Sequence, residues 1–181
     1  MLNLLTVLSS RGLIRVTLTS LVCGALLIPA SATSVGATSV PTKVTRSGET
    51  TLSVKPTKNL TSTGARIKVR GKGFDQRIGI YVALCVTPKK GSTKAPGPCG
   101  GGVNLTASDP ASAWISSNPP PYGSALAIPF SKRGKFSVTL TVSPKIGKID
   151  CRNVSCSIVT RADHTKPSFR GADLYIPVSF T

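Results

Sequence analysis

The stretch ARIKVRGKGF, Ala65 to Phe74, alternates small or aliphatic residues with basic ones. A period of two marks a strand with one buried and one wet face. Ile67 and Val69 then point to a core. Arg66, Lys68 and Arg70 form a basic stripe facing outward, with Lys72 following in the turn. The same period recurs on both sides of this stretch. TLSVKP, from Thr51, reads as a strand ended by Pro56. GIYVALCV, Gly79 to Val86, is more continuously apolar, as a central strand should be. GKFSVTLTV, Gly134 to Val142, CSIVTR and LYIPVSF follow, with ALAIPF as a possible short strand. Pro177 in the last strand predicts an edge position or a bulge, because proline cannot donate to a ladder. About seven short strands separated by turn residues, with no run at helical spacing, describe an all-β antiparallel sandwich.

Two segments lack this period. TPKKGSTKAPGPCGGG is too rich in Gly and Pro to hold a ladder and reads as a loop carrying Lys89, Lys90 and Lys94. Val103 to Tyr122 contains the only Trp of the chain, Trp114, and is expected to be mostly loop.

Residues 1–37 read as a signal peptide. Arg11 and Arg15 precede an uncharged apolar run, Val16 to Ala30, and small residues follow it. Residues 38–49 are polar without period and are expected to be a flexible lead to a single domain over 50–181. Localisation is then secreted, extracellular or at the cell surface. The whole chain carries 23 basic and 6 acidic residues, a net charge of +17. Removing residues 1–37 takes away two arginines and leaves +15. A field of this strength draws polyanions, so an anionic wall polymer or lipid surface is the expected partner. Only 5% of residues are aromatic, which leaves no stacking platform for single strands, and nucleic acid is not expected as a direct partner.

Four cysteines remain after residue 37: Cys85, Cys99, Cys151 and Cys156. An even count in an exported chain predicts two disulfides, and three pairings are open. Zinc is not expected. Its structural sites bring ligands in close pairs, and the chain has one histidine, His164. Asp163 and His164 read as turn residues, since neighbours in an extended chain point apart and no nucleophile elbow is present. No cofactor, metal or catalytic residue is expected, and the chain is not expected to be an enzyme.

LSVKPTKNL leading to GARIKVRGKGF, then GIYVALC, GKFSVTLTV, the DCRNVSC pair and the closing PVSF carry a resemblance. In that order, from about Thr50 to Thr181, the chain resembles the neocarzinostatin family, secreted apoproteins that carry enediyne chromophores on a seven-stranded immunoglobulin-like β-sandwich. The resemblance implies local pairings, Cys85–Cys99 and Cys151–Cys156. It also implies a ligand cleft on one outer sheet face, floored by the first disulfide. Strand alternation then places Tyr81, Ala83, Cys85, Val159 and Arg161 on the cleft face, with Cys99 joining through its bridge. The chain departs from the family in its basic charge, in Val86 to Lys90 where an aromatic wall is expected, and in Arg161. The leading expectation is therefore a non-catalytic secreted binding module for anionic surfaces. The alternative is a small-molecule carrier of an enediyne-type chromophore.

Overall fold

The computed structural model describes residues 42–101 and 111–181. The expected signal peptide lies outside them, as does the stretch from Val103 to Pro110. Among the described residues no helix is long and apolar enough to cross a membrane.

Among the described residues ten strands form: β1 Lys43–Ser47, β2 Thr50–Lys55, β3 Ala65–Lys72, β4 Ile80–Val86, β5 Ser112–Ile115, β6 Phe136–Val142, β7 Lys145–Ile146, β8 Ile149–Asp150, β9 Cys156–Ala162 and β10 Leu174–Val178. They make two four-stranded sheets, ordered β1-β2-β3-β6 and β10-β9-β4-β5, and a two-stranded ribbon, β7-β8. All named pairings are antiparallel. The protein is an all-β sandwich, as the alternation requires, with ten strands instead of seven.

The differences have local causes. Part of the expected flexible lead is β1, which a two-residue turn folds onto β2. Gly48 supplies the left-handed conformation the turn needs (φ +55°), and Ser47 faces Thr50. A Gly147-Lys148 turn joins β7 to β8 in the same way, with Gly147 at φ +57°. The middle of the expected loop holds β5, too short at four residues for its period to be read. The possible strand ALAIPF gives only one bridge, Ile128 to Ile115. Lys72 closes β3 instead of entering a turn. Pro177 lies on β10, an edge strand, as expected.

Between the sheets lie Leu52, Val54, Ile67, Val69, Val138 and Leu140 from the first and Ile80, Val82, Leu84, Ile158 and Ile176 from the second. Each buried Val, Leu or Ile contributes about 1.5–3 kcal/mol relative to leaving it in water. β3 shows a strict alternation of buried and exposed positions. In β4 and β9 most positions are buried on both faces, so the outer face of the second sheet is itself covered.

Candidate functional site

The register of the second sheet sets the site. β4 runs between β9 and β5, with Tyr81 opposite both Arg161 and Trp114, and Ala83 opposite both Val159 and Ser112. Directly paired residues share a face, so these side chains share the outer one. Beyond the end of β5, the segment around Cys99 takes the same edge of β4. Val86 N–H donates to Pro98 O at 2.9 Å and Gly100 N–H donates to Leu84 O at 2.8 Å. These two bonds bracket Cys85 and Cys99, which face each other and are joined by a disulfide. Cys151 and Cys156, five positions apart, form the second disulfide across a turn.

A cleft of about 230 Å³ opens on this face. Tyr81, Ala83, Cys85, Cys99, Val159 and Arg161, the six residues expected there, all line it, and Gly100 and Ser112 complete it. Ala83, Cys85 and Val159 are at most 5% exposed and form a small apolar cluster of their own, separate from the main core, with Cys99 and Tyr175 packed against it. Ser112 is not among the residues expected there, because a four-residue β5 leaves no period in the sequence. Its pairing with Ala83 is a tertiary contact with no local sequence mark.

Arg161 sits at the rim. Its Nη1 donates to Pro96 O at 2.9 Å and so ties the Gly/Pro-rich loop to β9. Its Nε is buried without a hydrogen-bond partner among the described residues. Asp173, one residue before β10, feels this guanidinium. Burial pushes the Asp173 carboxyl up, and Arg170 and Arg161 partly offset that. Arg170 Nη1 pairs with Asp173 Oδ2 at 2.9 Å. Tyr175 and Tyr81 both have phenols pushed up, chiefly by burial.

Next to the cleft, through Tyr81, stands an aromatic group that the sequence does not announce. Trp114 is only 4% exposed although it points away from the main core. Its Nε1 donates to Asp163 Oδ2 at 2.8 Å. Asp163 is 1% exposed, and its Oδ1 accepts from Thr165 N–H at 2.9 Å and from Thr165 Oγ1 at 2.6 Å. The His164 ring lies among Tyr81, Trp114 and Tyr122, with centroids 5.2–6.0 Å apart. The Tyr81 hydroxyl meets His164 Nδ1, and the Tyr122 hydroxyl meets Nε2. Asp163 and His164 begin a turn, as expected, and Lys166 N–H donates to Asp163 O. They are more than turn residues, however: one is a buried acceptor and the other a hub between two phenols. The carboxylate bonds Trp114 and Thr165, and both histidine nitrogens meet phenols, so the pair does not form a charge-relay arrangement with a serine. Among the described residues no group of three or more His, Cys, Asp or Glu could hold a metal ion.

Arg66, Lys68 and Arg70 lie on the exposed face of β3, in the other sheet. The basic stripe and the cleft are therefore on opposite outer faces of the sandwich.

Fold and site together define a disulfide-stapled β-sandwich with a shallow, apolar-floored cleft on one sheet. No family model matches the chain, and no curated protein matches it. Among solved structures, macromomycin is similar to it, with 18% identity and a TM-score of 0.45, over 78% of this chain and 100% of that one.

Proposed function

We propose that the protein is a non-catalytic binding module whose outer-face cleft holds a small molecule with an apolar body and an anionic or hydrogen-bond-accepting group. The observation that carries this reading is the cluster of Ala83, Cys85 and Val159 on the side of the sheet away from the core, beside Arg161. Apolar surface placed there gains nothing from the main core, and a pocket with few polar groups is the usual form of a ligand site. The volume of about 230 Å³ lies just below the usual ligand range and suits one compact ring system, not a long chain. Arg161 supplies the polar contact, as the one charged side chain among the lining residues. Two disulfides favour an oxidising compartment, and export through residues 1–37 accords with them. A carrier of an enediyne-type chromophore, the role implied by the family resemblance, is one form of this function.

Anilinonaphthalene sulfonate, an apolar anion, is a direct probe. Its fluorescence is expected to rise on binding the wild type and to fall about tenfold in affinity in Arg161→Leu, the scale of one charge-assisted hydrogen bond. Native mass spectrometry of protein purified from its own host should show an added small mass. A bare chain mass together with no dye binding would overturn the reading.

A further inference from the structure

The outer face of the first sheet has a composition unlike the rest of the molecule. Arg66, Lys68, Arg70 and Lys72 stand in a single row along β3, all exposed. Alternate residues of a strand are about 6.7 Å apart, so four cations form a track roughly 20 Å long. Rows of hydroxyls flank it. On β2, Thr51 lies opposite Lys72 and Ser53 opposite Arg70, while Lys55 extends the charge beside Lys68. On β6, Thr141, Thr139 and Ser137 lie opposite Arg66, Lys68 and Arg70. No carboxylate occupies a strand position on this face. The ion pairs of the described residues are Arg77–Asp75, Lys145–Asp150, Arg152–Asp150 and Arg170–Asp173, and none of them uses a track residue. At one end the track dips into a depression of about 410 Å³, lined by Arg70, Lys72, Lys135 and the hydroxyls of Thr51, Ser53 and Ser137.

We propose that this face binds an extended polyol-phosphate polymer, one phosphate seated in the depression and others along the β3 row. Charge complementarity requires an anion, and a row of cations along β3, edged by hydroxyls and joined by Lys55 on β2 and Arg46 on β1, fits a linear chain better than a compact ion. The same face argues against two other polyanions. Membrane docking gains from apolar side chains that enter the acyl boundary. Here the one exposed large apolar residue is Val44, at the edge on β1. Single-stranded nucleic acid is held by base stacking on aromatics. The one aromatic lining the depression, Phe136, is 5% exposed and belongs to the core.

The test uses protein purified from its own host and a synthetic poly(glycerol phosphate), with binding followed by calorimetry. A fourfold rise in salt is expected to weaken binding roughly 50-fold, the scale for about four neutralised phosphates on a single chain. Replacing Arg66, Lys68 and Arg70 together by Ser should weaken it about 30-fold or more, whereas the same replacement of Lys89, Lys90 and Lys94 in the loop should change it less than about threefold. The two triple variants remove equal charge, so equal losses would reduce the effect to net charge and overturn the site. Thr139→Lys, which widens the track, should tighten binding, and no gain would count against the proposal even if the triple variant failed to fold. Arg161→Leu should leave polymer binding intact, which separates this face from the cleft. Tighter binding to oligothymidine or to phosphatidylglycerol vesicles than to the polymer would overturn the assignment.

Discussion

Trp114 Nε1 donates to Asp163 Oδ2 at 2.8 Å, joining two residues 49 positions apart on the outer face of the second sheet. A buried indole N–H needs a partner, and a buried carboxylate needs several donors. Here Trp114 and Thr165 satisfy both needs. Asp163→Ala removes three hydrogen bonds at once and leaves the indole donor unpaired. The expected loss is about 2–4 kcal/mol in denaturant unfolding. Because Trp114 is the only tryptophan, its native fluorescence should also change in this variant. Unaltered stability and emission would show that the bond carries no weight.

Gly79 explains how the carboxylate fits. A Cβ there would lie 1.9 Å from Asp163 Oδ2 and 3.0 Å from Ser116 Oγ. Gly79→Ala should displace the carboxylate and destabilise the fold by about 1–3 kcal/mol. The effect should be smaller when Asp163 is already Ala, since residues in contact are not additive. A double-mutant cycle measures the difference, and full additivity would contradict the contact.

The Cys85–Cys99 disulfide closes a 14-residue separation and the Cys151–Cys156 disulfide a 5-residue one. Loop-closure entropy assigns about 3 kcal/mol to the first and about 2 kcal/mol to the second. Replacing each pair by Ala should lower stability in that order. Only the first pair lines the cleft, so only its loss should also abolish dye binding. Equal effects of both pairs on the dye would show that the cleft is not floored as described.

Titration separates two groups of residues. Asp75 is held at about 2, chiefly by hydrogen bonds from the Arg77 side chain and backbone N–H. Its folded value is depressed, so its contribution is present above the unfolded value and is lost as pH falls through about 2. The carboxyl is largely exposed, and the effect on stability is small. Carboxyl-carbon NMR should place its midpoint near 2 and move it toward 3.8 in Arg77→Ala. Tyr81 and Tyr175 behave in the opposite sense, with both phenols raised above 10.0, chiefly by burial. The folded protein keeps these protons after the unfolded chain releases them. Stability should therefore decline as pH rises past about 10 and onward through the folded values. Tyr81→Phe should remove part of that decline, and an identical alkaline limb would refute its origin.

Arg161 and Asp173 are coupled through charge as well as place. Arg161 lowers the Asp173 carboxyl against the burial that raises it. In Arg161→Leu the carboxyl should move further up, visible as a later midpoint in carboxyl NMR. An unmoved midpoint would mean that the two groups do not sense each other.

Much of this was legible in the sequence, for a physical reason. Strand side chains alternate with a fixed period of two, so on β3 Ile67 and Val69 had to face the core and Arg66 and Lys68 away from it, and on β4 Ile80, Val82 and Leu84 had to face the core and Tyr81 and Ala83 away from it. The cleft residues on β4 and β9 followed from that rule together with the family resemblance. What escaped the reading was short or non-local. β1 depends on the turn at Gly48, and β5 has four residues, fewer than a period needs to declare itself. Ser112 enters the cleft only because β5 takes the free edge of β4.

Alternation and composition were thus enough for the all-β sandwich, the basic face and the direction of the residues on β3, β4 and β9. The tertiary structure alone decided which strands became neighbours. It set Trp114 on Asp163, His164 between two phenols, Arg161 against Pro96, and the hydroxyl rows beside the cations of β3. The period of a strand is written in adjacent residues, whereas its partner is chosen by the burial of surfaces far apart in the chain.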